Sequence, residues 1–220
     1  MTINLISLTH SASPAAEAYR QLRANLLAAG RETPLRTLLV VAACADPDKA
    51  AAVANLAVTF ARIGKRVILA DCDLRNPAQH AIFGLSNAVG VTTAVGAPLP
   101  PNVGGLNSPQ DWWAGVALQA TAVPGLRVLP AGPQAGVPAD LLASPAMGTL
   151  IARLRDEADI ILLDAPPVMF ATDAAELAIQ VDGVLLTVRA GHTRRDEAQR
   201  AKELLEKVGA RIIGAALVNA

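Results

Sequence analysis

The segment Val67-Ile68-Leu69-Ala70-Asp71-Cys72-Asp73-Leu74-Arg75-Asn76-Pro77 begins with an apolar run and continues into two acids and an arginine. A short run of Val, Ile and Leu bounded by turn residues is typical of a buried strand. Asp71 and Asp73 follow this strand at its carboxyl end, where α/β proteins bind ligands. Two such acids can hold magnesium or orient a nucleophile, and Arg75 can neutralise transferring charge. The structural alternative is an Asp–Arg clamp within the loop.

Further apolar runs alternate with helical stretches on both sides of this segment. We predict buried strands at residues 37–43, 67–70, 126–129, 160–163, 183–188 and 212–218. We predict helices at residues 15–29, 49–63, 146–156, 171–179 and 195–208. Continuous apolar strands separated by helices indicate an α/β fold, in which a mostly parallel sheet carries helices on both faces.

The length and the charge of the chain narrow the possible classes of protein. The 220 residues, with 52% hydrophobic content, can bury one sizeable core, so we predict a single domain over 1–220. The 19 basic and 19 acidic side chains balance, so no global field attracts nucleic acid or an anionic membrane. The apolar runs are shorter than the roughly 20 residues of a membrane span. We expect a cytoplasmic protein without a nucleic-acid partner.

A stretch rich in Pro and Gly near residues 96–125 interrupts the alternation of strands and helices. Such composition without periodicity predicts a surface loop inserted into the domain. The loop contains Trp112 and Trp113, which either anchor it to the core or mark a contact with a partner.

The segment Ala43-Cys44-Ala45-Asp46-Pro47-Asp48-Lys49 follows the first strand and precedes a helix, which is the position of a phosphate-binding loop. Such a loop needs glycines that turn backbone N–H groups toward phosphate, a lysine, and a hydroxyl on magnesium. Lys49 is present, but Asp48 replaces a glycine, and Ala50 and Ala51 replace the hydroxyl residues. The loop therefore keeps one of the three functions.

The acids of this loop also fit a purely structural interpretation. Asp46 suits an N-cap, Pro47 the first helical position and Asp48 the acid-tolerant first turn. A carboxylate about 6 Å from a phosphate opposes a unit of its charge by roughly 3 kcal/mol at an effective dielectric near 20. Two interpretations stay open: a capped helix without nucleotide, and ATP binding retained through Lys49.

Asp164 ends the predicted strand at 160–163 and is followed by Ala165-Pro166-Pro167. A strand-end aspartate either caps a turn or holds magnesium as a Walker-B-type acid. The order of Lys49, Asp71 and Asp164 along the chain favours an ATP–magnesium site, with Asp71 and Asp164 as metal ligands.

Glu17, Arg20 and Arg23 lie at positions i, i+3 and i+6 of the first long helix, so they share one of its sides. They form either a solvated face with an ion pair worth a few tenths of a kcal/mol or a surface that binds the acidic residues of a neighbouring subunit.

Five segments together make the sequence similar to a known family. They are residues 17–26, 71–77, Leu129-Pro130-Ala131-Gly132, Asp164-Ala165-Pro166-Pro167 and Asp182-Gly183-Val184. In order and spacing they resemble the cytoplasmic domain of bacterial tyrosine kinases of the Wzc, CapB and CpsD type, which are relatives of the MinD and ParA ATPases. The resemblance covers nearly the whole chain and implies the fold of P-loop NTPases.

The resemblance also implies roles for individual residues. It makes Asp71 and Asp73 the Walker A′ acids and Asp164 the Walker B acid. It implies catalysis through these three acids. The position of Lys49 and the charge of Arg75 predict that these two residues bind ATP. The resemblance also implies a ring-forming oligomer motif made of Glu17, Arg20 and Arg23.

The family couples ATP-dependent tyrosine phosphorylation to the export of capsular or exopolysaccharide, together with a membrane chain-length protein. This chain departs from the family in its phosphate loop. Members usually carry a cluster of tyrosines near the C-terminus, whereas the single tyrosine of this chain is Tyr19. We therefore expect a kinase-like protein with impaired catalysis that assembles with itself, an active kinase paralogue or the membrane chain-length protein. The alternatives are an active kinase with an unusual loop and a positioning ATPase like ParA or MinD.

Overall fold

The computed structural model describes residues 5–96, 118–134 and 136–219. The predicted loop near 96–125 lies mostly outside these residues, and so do Trp112 and Trp113. The prediction of a single domain stays a prediction.

Seven strands form one sheet in the described part of the chain, in the order β3-β4-β2-β5-β1-β6-β7. They are β1 (Thr37–Ala42), β2 (Val67–Asp71), β3 (Gln119–Ala120), β4 (Leu126–Leu129), β5 (Ile160–Asp164), β6 (Gly183–Arg189) and β7 (Ile212–Val218). Every neighbouring pair is parallel except β3 with β4, which is antiparallel. The predicted mostly parallel sheet is confirmed, and the six predicted strands are all present.

The helices connect these strands. They are α1 (Ile6–Thr9), α2 (Pro14–Ala29), α3 (Lys49–Ala61), α4 (Gln79–Phe83), α5 (Val91–Gly96), α6 (Pro138–Leu142), α7 (Pro145–Glu157), α8 (Asp173–Ala178) and α9 (Arg195–Lys207). The five predicted helices correspond to α2, α3, α7, α8 and α9. The helices α1, α4, α5 and α6 were not predicted. They have four to six residues, which is too short for a helical period to show in the sequence.

Local sequence sets where the longer helices begin. The Ser13 hydroxyl accepts a hydrogen bond from the Ala16 N–H, and a proline occupies the first turn of α2. The Ser144 hydroxyl does the same for Met147 N–H at the start of α7. A serine N-cap followed by proline satisfies a free backbone donor and fixes the first helical residue in its backbone conformation.

The core consists of two apolar layers, one on each face of the sheet. Alternate residues of β1 divide between them: Leu39 and Val41 belong to one layer, and Leu38 and Val40 to the other. The layer of Leu38 packs beneath α2 and α3, and the layer of Leu39 beneath α7 and α8. Each fully buried Leu, Ile or Phe in these layers contributes roughly 1.5–3 kcal/mol of burial free energy. The packing holds the carboxyl ends of β1, β2 and β5 side by side.

Candidate functional site

The aspartates that end β2 and β5 are neighbours in the sheet. The parallel register of the two strands pairs Asp71 with Asp164, and both side chains are buried. Asp73 follows two residues later and is also buried. The sequence predicted that these acids meet at one edge of the sheet, and the structure brings them together.

Asp71 is held by the backbone of the helix that follows it. Its Oδ2 accepts hydrogen bonds from the N–H groups of Ala78 and Gln79, both at 2.9 Å, at the start of α4. Its Oδ1 has no hydrogen-bond partner among the described residues. Burial, followed by the charge of Asp164, raises the pKa of Asp71 to about 7, although the two backbone bonds oppose the shift. The carboxyl therefore changes its protonation near neutral pH.

Lys49 points into this acidic group. Its Nζ lies 2.6 Å from Asp164 Oδ1 and 3.4 Å from Asp73 Oδ2, and it also donates a hydrogen bond to the backbone carbonyl of Ala165. Burial lowers the pKa of Lys49, but the carboxylates of Asp164, Asp73 and Asp71 raise it further, so the net shift is upward. The ammonium group is therefore a fixed internal cation that balances part of the charge of the three acids.

Gln79 completes the enclosure of Asp164. Its Nε2 donates to Asp164 Oδ2 at 2.7 Å and to the carbonyl of Ala50 at 3.0 Å. Asp164 thus has one oxygen beside Lys49 and the other beside Gln79. Gln79 was not predicted from the sequence; the signal available was an amide side chain at the start of a segment that follows Asn76-Pro77.

The phosphate-loop segment adopts a turn before α3. The helix begins at Lys49, not at Pro47, so the prediction of Asp46 as N-cap and Pro47 as first helical residue is wrong. Asp46 Oδ1 instead accepts a hydrogen bond from the Asp48 N–H at 3.0 Å, which closes a turn two residues long. Asp48 occupies the N-cap position without a side-chain capping bond.

Arg189 at the end of β6 and Asn219 just after β7 contact the loop acids. Arg189 approaches Asp48 Oδ2 at 3.4 Å and Asp46 Oδ1 at 3.9 Å. The Asn219 side chain donates to Asp48 Oδ2 at 2.6 Å. The carboxylates are thereby tied into the fold at the place where a phosphate loop presents free N–H groups.

Arg75 is paired away from the acidic group. Its guanidinium makes two hydrogen bonds of 2.9 Å to the two carboxylate oxygens of Asp173, in the first turn of α8. Asp173 is buried and was not predicted as a site residue. The sequence left open a clamp between Arg75 and an acid of its own loop; Arg75 instead binds an acid of α8. The role of Arg75 in nucleotide binding stays a prediction.

The phosphate-loop segment lacks most of the residue types that hold the phosphates and magnesium of ATP in a phosphate loop. Residues 43–51 contain no glycine and no hydroxyl side chain, and Asp46 and Asp48 stand at the anion position. Lys49, at the position of the phosphate lysine, is already bonded to Asp164 and Asp73. Within residues 5–96, 118–134 and 136–219, no group of three or more His, Cys, Asp or Glu side chains is arranged to hold a metal ion. Magnesium binding by Asp71 and Asp164 stays a prediction.

The predicted oligomer motif lies on α2, and its residues have different partners. Arg20 Nε donates to Glu17 Oε2 at 2.7 Å, so these two form the expected ion pair on an exposed surface. Arg23 Nη1 donates to the backbone carbonyl of Thr59 on α3 at 2.8 Å. The role of the motif in assembly stays a prediction.

The fold and these side chains define the class of the protein. A mostly parallel sheet with a lysine at the start of the helix after β1, and acids at the ends of two neighbouring strands, is the arrangement of P-loop NTPases. The structure superposes on the cell-division ATPase MinD of Pyrococcus furiosus with a TM-score of 0.63 and 24% identity, covering 83% of this chain and 71% of MinD. This likeness supports the fold alone.

The family follows from closer similarities. The chain is 34% identical to the tyrosine-protein kinase YwqD of Bacillus subtilis over 215 residues, which cover 98% of this chain and 85% of YwqD. It superposes on the kinase domain of the Escherichia coli tyrosine kinase ETK with a TM-score of 0.86 and 27% identity, covering 100% of this chain and 82% of that domain. No protein-family profile matches the chain. The chain belongs to the family of bacterial tyrosine-protein kinases, as the motifs in the sequence predicted.

In the part of the chain that the structure describes, no helix has the length and the apolar character needed to cross a membrane.

Proposed function

We propose that this member of the tyrosine-kinase family has lost ATP binding and acts in the export of capsular or exopolysaccharide through assembly with other proteins. Its partners would be further copies of the chain, an active kinase of the same family, or a membrane chain-length protein that recruits it to the inner face of the plasma membrane. The exposed pair Glu17 and Arg20 on α2 offers a surface for such assembly.

One observation supports the loss of ATP binding: the ammonium group of Lys49 is already paired with the buried carboxylates of Asp164 and Asp73. A phosphate would have to pull its Nζ away from Asp164, 2.6 Å distant, and leave that buried carboxylate without its cation. Removing one partner of a buried ion pair costs about 3–5 kcal/mol. The loop offers little in return, because Asp46 and Asp48 repel an anion and the segment lacks glycine. Each of these terms opposes nucleotide binding.

A second candidate function is phosphoryl transfer through an unusual loop. The observation that favours it is the cluster of Asp71, Asp73 and Asp164, in which the pKa of Asp71 is raised to about 7, by burial first and by Asp164 second. A carboxyl that titrates near neutral pH suits a general base. A positioning ATPase like ParA or MinD is a third candidate; it requires nucleotide binding as well, so the same experiment tests it.

The test is calorimetric titration of the purified protein with ATP and magnesium. We expect no binding heat at millimolar ATP. Micromolar binding that disappears in Lys49→Ala would overturn the proposal and favour the active kinase or the positioning ATPase.

A designed variant provides the matched control. Asp48→Gly with Ala50→Ser returns a glycine and a hydroxyl to the positions that a phosphate loop needs. We expect this variant to show more ATP binding than the native chain under the same conditions, which would trace the loss to these two positions. Asp196→Gly with Ala198→Ser makes the same exchange near the start of α9 and should leave ATP binding unchanged.

A further inference from the structure

Three neighbouring hollows on the surface share one set of basic residues. One lies between α2 and the end of α3, the second between the α3–β2 turn and the segment before β4, and the third beneath the end of α2. Arg62 lines the first and the second, and Lys65 lines the second and the third. The three hollows therefore form one continuous surface, which we call the α3–β2 face.

The α3–β2 face is basic although the whole chain is neutral. Its lining includes a single acid, Asp159, and five basic residues: Arg20, Arg23, Arg62, Lys65 and Arg66. Arg20 pairs with Glu17 on the same helix, and Arg66 pairs with Asp159. The basic residues of the face outside these two ion pairs are Arg23, Arg62 and Lys65.

The other three cations form no ion pair among the described residues. Arg62 and Arg23 donate only to neutral backbone carbonyls, those of Ser7 and Thr59. Lys65 is exposed and forms no ion pair in the described ranges. The face therefore carries about three uncompensated positive charges within a small area.

Aliphatic side chains lie between these cations. Ile63 is 45% exposed, Leu27 39% and Leu8 37%, and each lines one of the three hollows. Ile63 stands in the turn Arg62-Ile63-Gly64-Lys65-Arg66, where Gly64 has a φ of 81° and open space beside it. A glycine in this conformation permits a tight turn. The turn presents an exposed isoleucine flanked by basic residues.

We propose that the α3–β2 face binds directly to a bilayer containing anionic lipids, with Ile63 entering the headgroup region. Anionic headgroups attract basic residues near the surface, and an apolar side chain adds affinity by entering the acyl boundary. A nucleic acid would offer phosphates too, but bases bind by stacking on aromatic side chains. The one aromatic residue that lines these hollows, Phe60, is fully buried. Membrane binding requires neither a chain-length partner nor any property of the phosphate loop, and it is tested at Arg62, Ile63 and Lys65, which are not part of the Glu17–Arg20 pair proposed for assembly.

The experiment is co-sedimentation of the full chain with phosphatidylcholine vesicles that contain 30% phosphatidylglycerol or none. Each basic residue near an anionic surface contributes about fivefold to binding. We expect the native chain to bind the anionic vesicles and Arg62→Glu/Lys65→Glu to bind at least roughly 25-fold more weakly. Ile63→Ser should weaken binding less, and its residual binding should fall with added salt.

The matched control is Arg195→Glu/Arg200→Glu, which makes the same change of charge on exposed residues of α9. We expect this control to retain vesicle binding, because α9 is not part of the α3–β2 face. A thermal melt of each variant shows whether the fold is kept. Equal loss in both double variants, no vesicle binding by the native chain, or binding to duplex DNA but not to vesicles would each overturn the proposal. A change in oligomeric state without a change in vesicle binding would assign the face to contacts between copies instead.

Discussion

The two ends of the sheet both pair an aspartate with a basic side chain, but they do so in different surroundings. At the carboxyl end, Asp164 and Lys49 are almost completely buried and 2.6 Å apart. At the amino end, Asp159 and Arg66 are 2.8 Å apart, and their side chains keep 34% and 60% of their exposure. The two N–O distances are nearly equal, so the two ion pairs differ mainly in how deeply they are buried.

That difference decides what each pair does for the protein. An exposed pair is screened by water, and its formation restricts two long side chains, so it adds little to stability. A buried pair costs desolvation when it forms, and it leaves an uncompensated charge when one partner is removed. The carboxyl end should therefore respond strongly to substitution, and the amino end weakly.

The largest effect is expected from Lys49→Met, which keeps the aliphatic volume and removes the cation. Asp164 and Asp73 then remain buried without their partner, and the free energy of unfolding should fall by about 3–5 kcal/mol. Urea unfolding at pH 8 measures this change. Lys65→Met makes the same substitution at an exposed site and should leave the midpoint nearly unchanged. Equal midpoints for the two variants would show that burial does not separate the two ends.

A smaller loss is expected from Gln79→Leu. The substitution removes the donor to Asp164 Oδ2 and to the Ala50 carbonyl, and unsatisfied buried acceptors cost about 1–3 kcal/mol. The same unfolding experiment measures it. Gln199→Leu on α9 also removes an amide, but that amide bonds to Glu203 on an exposed surface, so stability should hardly change. If Gln79→Leu lost as little stability as Gln199→Leu, water would be replacing the missing donor.

The pH dependence of stability should have opposite signs at the two ends. The pKa of Asp71 is raised to about 7 from its ordinary value of 3.8, so its contribution is present at acidic pH and is lost as pH rises toward 7. Its slope can reach about 1.4 kcal/mol per pH unit. Asp71→Asn should remove this slope between pH 4 and pH 7, as measured by denaturant unfolding across that range.

Asp159 should give a pH dependence of stability with the opposite sign. Hydrogen bonds from Arg66 lower the pKa of this carboxyl, so its contribution is present at neutral pH and is lost as the solution becomes acidic. Asp159→Asn should therefore leave the slope between pH 5 and pH 7 as it is in the native chain. If Asp159→Asn altered that slope and Asp71→Asn did not, the assignment of the two carboxyls would be reversed.

The smallest effect is expected from Arg66→Ala at the amino end. The guanidinium is exposed and its pair with Asp159 is screened, so the midpoint of urea unfolding should shift little and the shift should vanish in high salt. A large and salt-independent loss would show that the amino end also depends on its ion pairs.

Much of the fold could be predicted because its signals are local. The buried parallel strands appear as unbroken apolar runs, and the strand ends indicate where Asp71 and Asp164 meet. The strand β3 was missed because two residues show no period. The short helices α4 and α6 were missed for the same reason.

The partners of the site residues could not be predicted, because they depend on how distant segments pack. Gln79 reaches Asp164 across 85 positions of sequence, and Asp173 reaches Arg75 across 98. The start of α3 was placed wrongly for a more local reason: Asp46 could cap a helix or close a turn. The composition of the loop fits both, and the structure shows the turn.

The strand order has a consequence for the synthesis of the protein. β1 lies between β5 and β6, so its neighbours in the sheet are more than 100 residues further along the chain. When the ribosome has made β1, α3 and β2, the two strands cannot pair with each other, because β5 separates them. β1 therefore has no strand to pair with until residues 160–164 of β5 have been made. Such long-range pairing slows folding and exposes the nascent chain to aggregation, so we expect the yield of folded protein to depend on chaperones that bind the chain before residue 160 emerges.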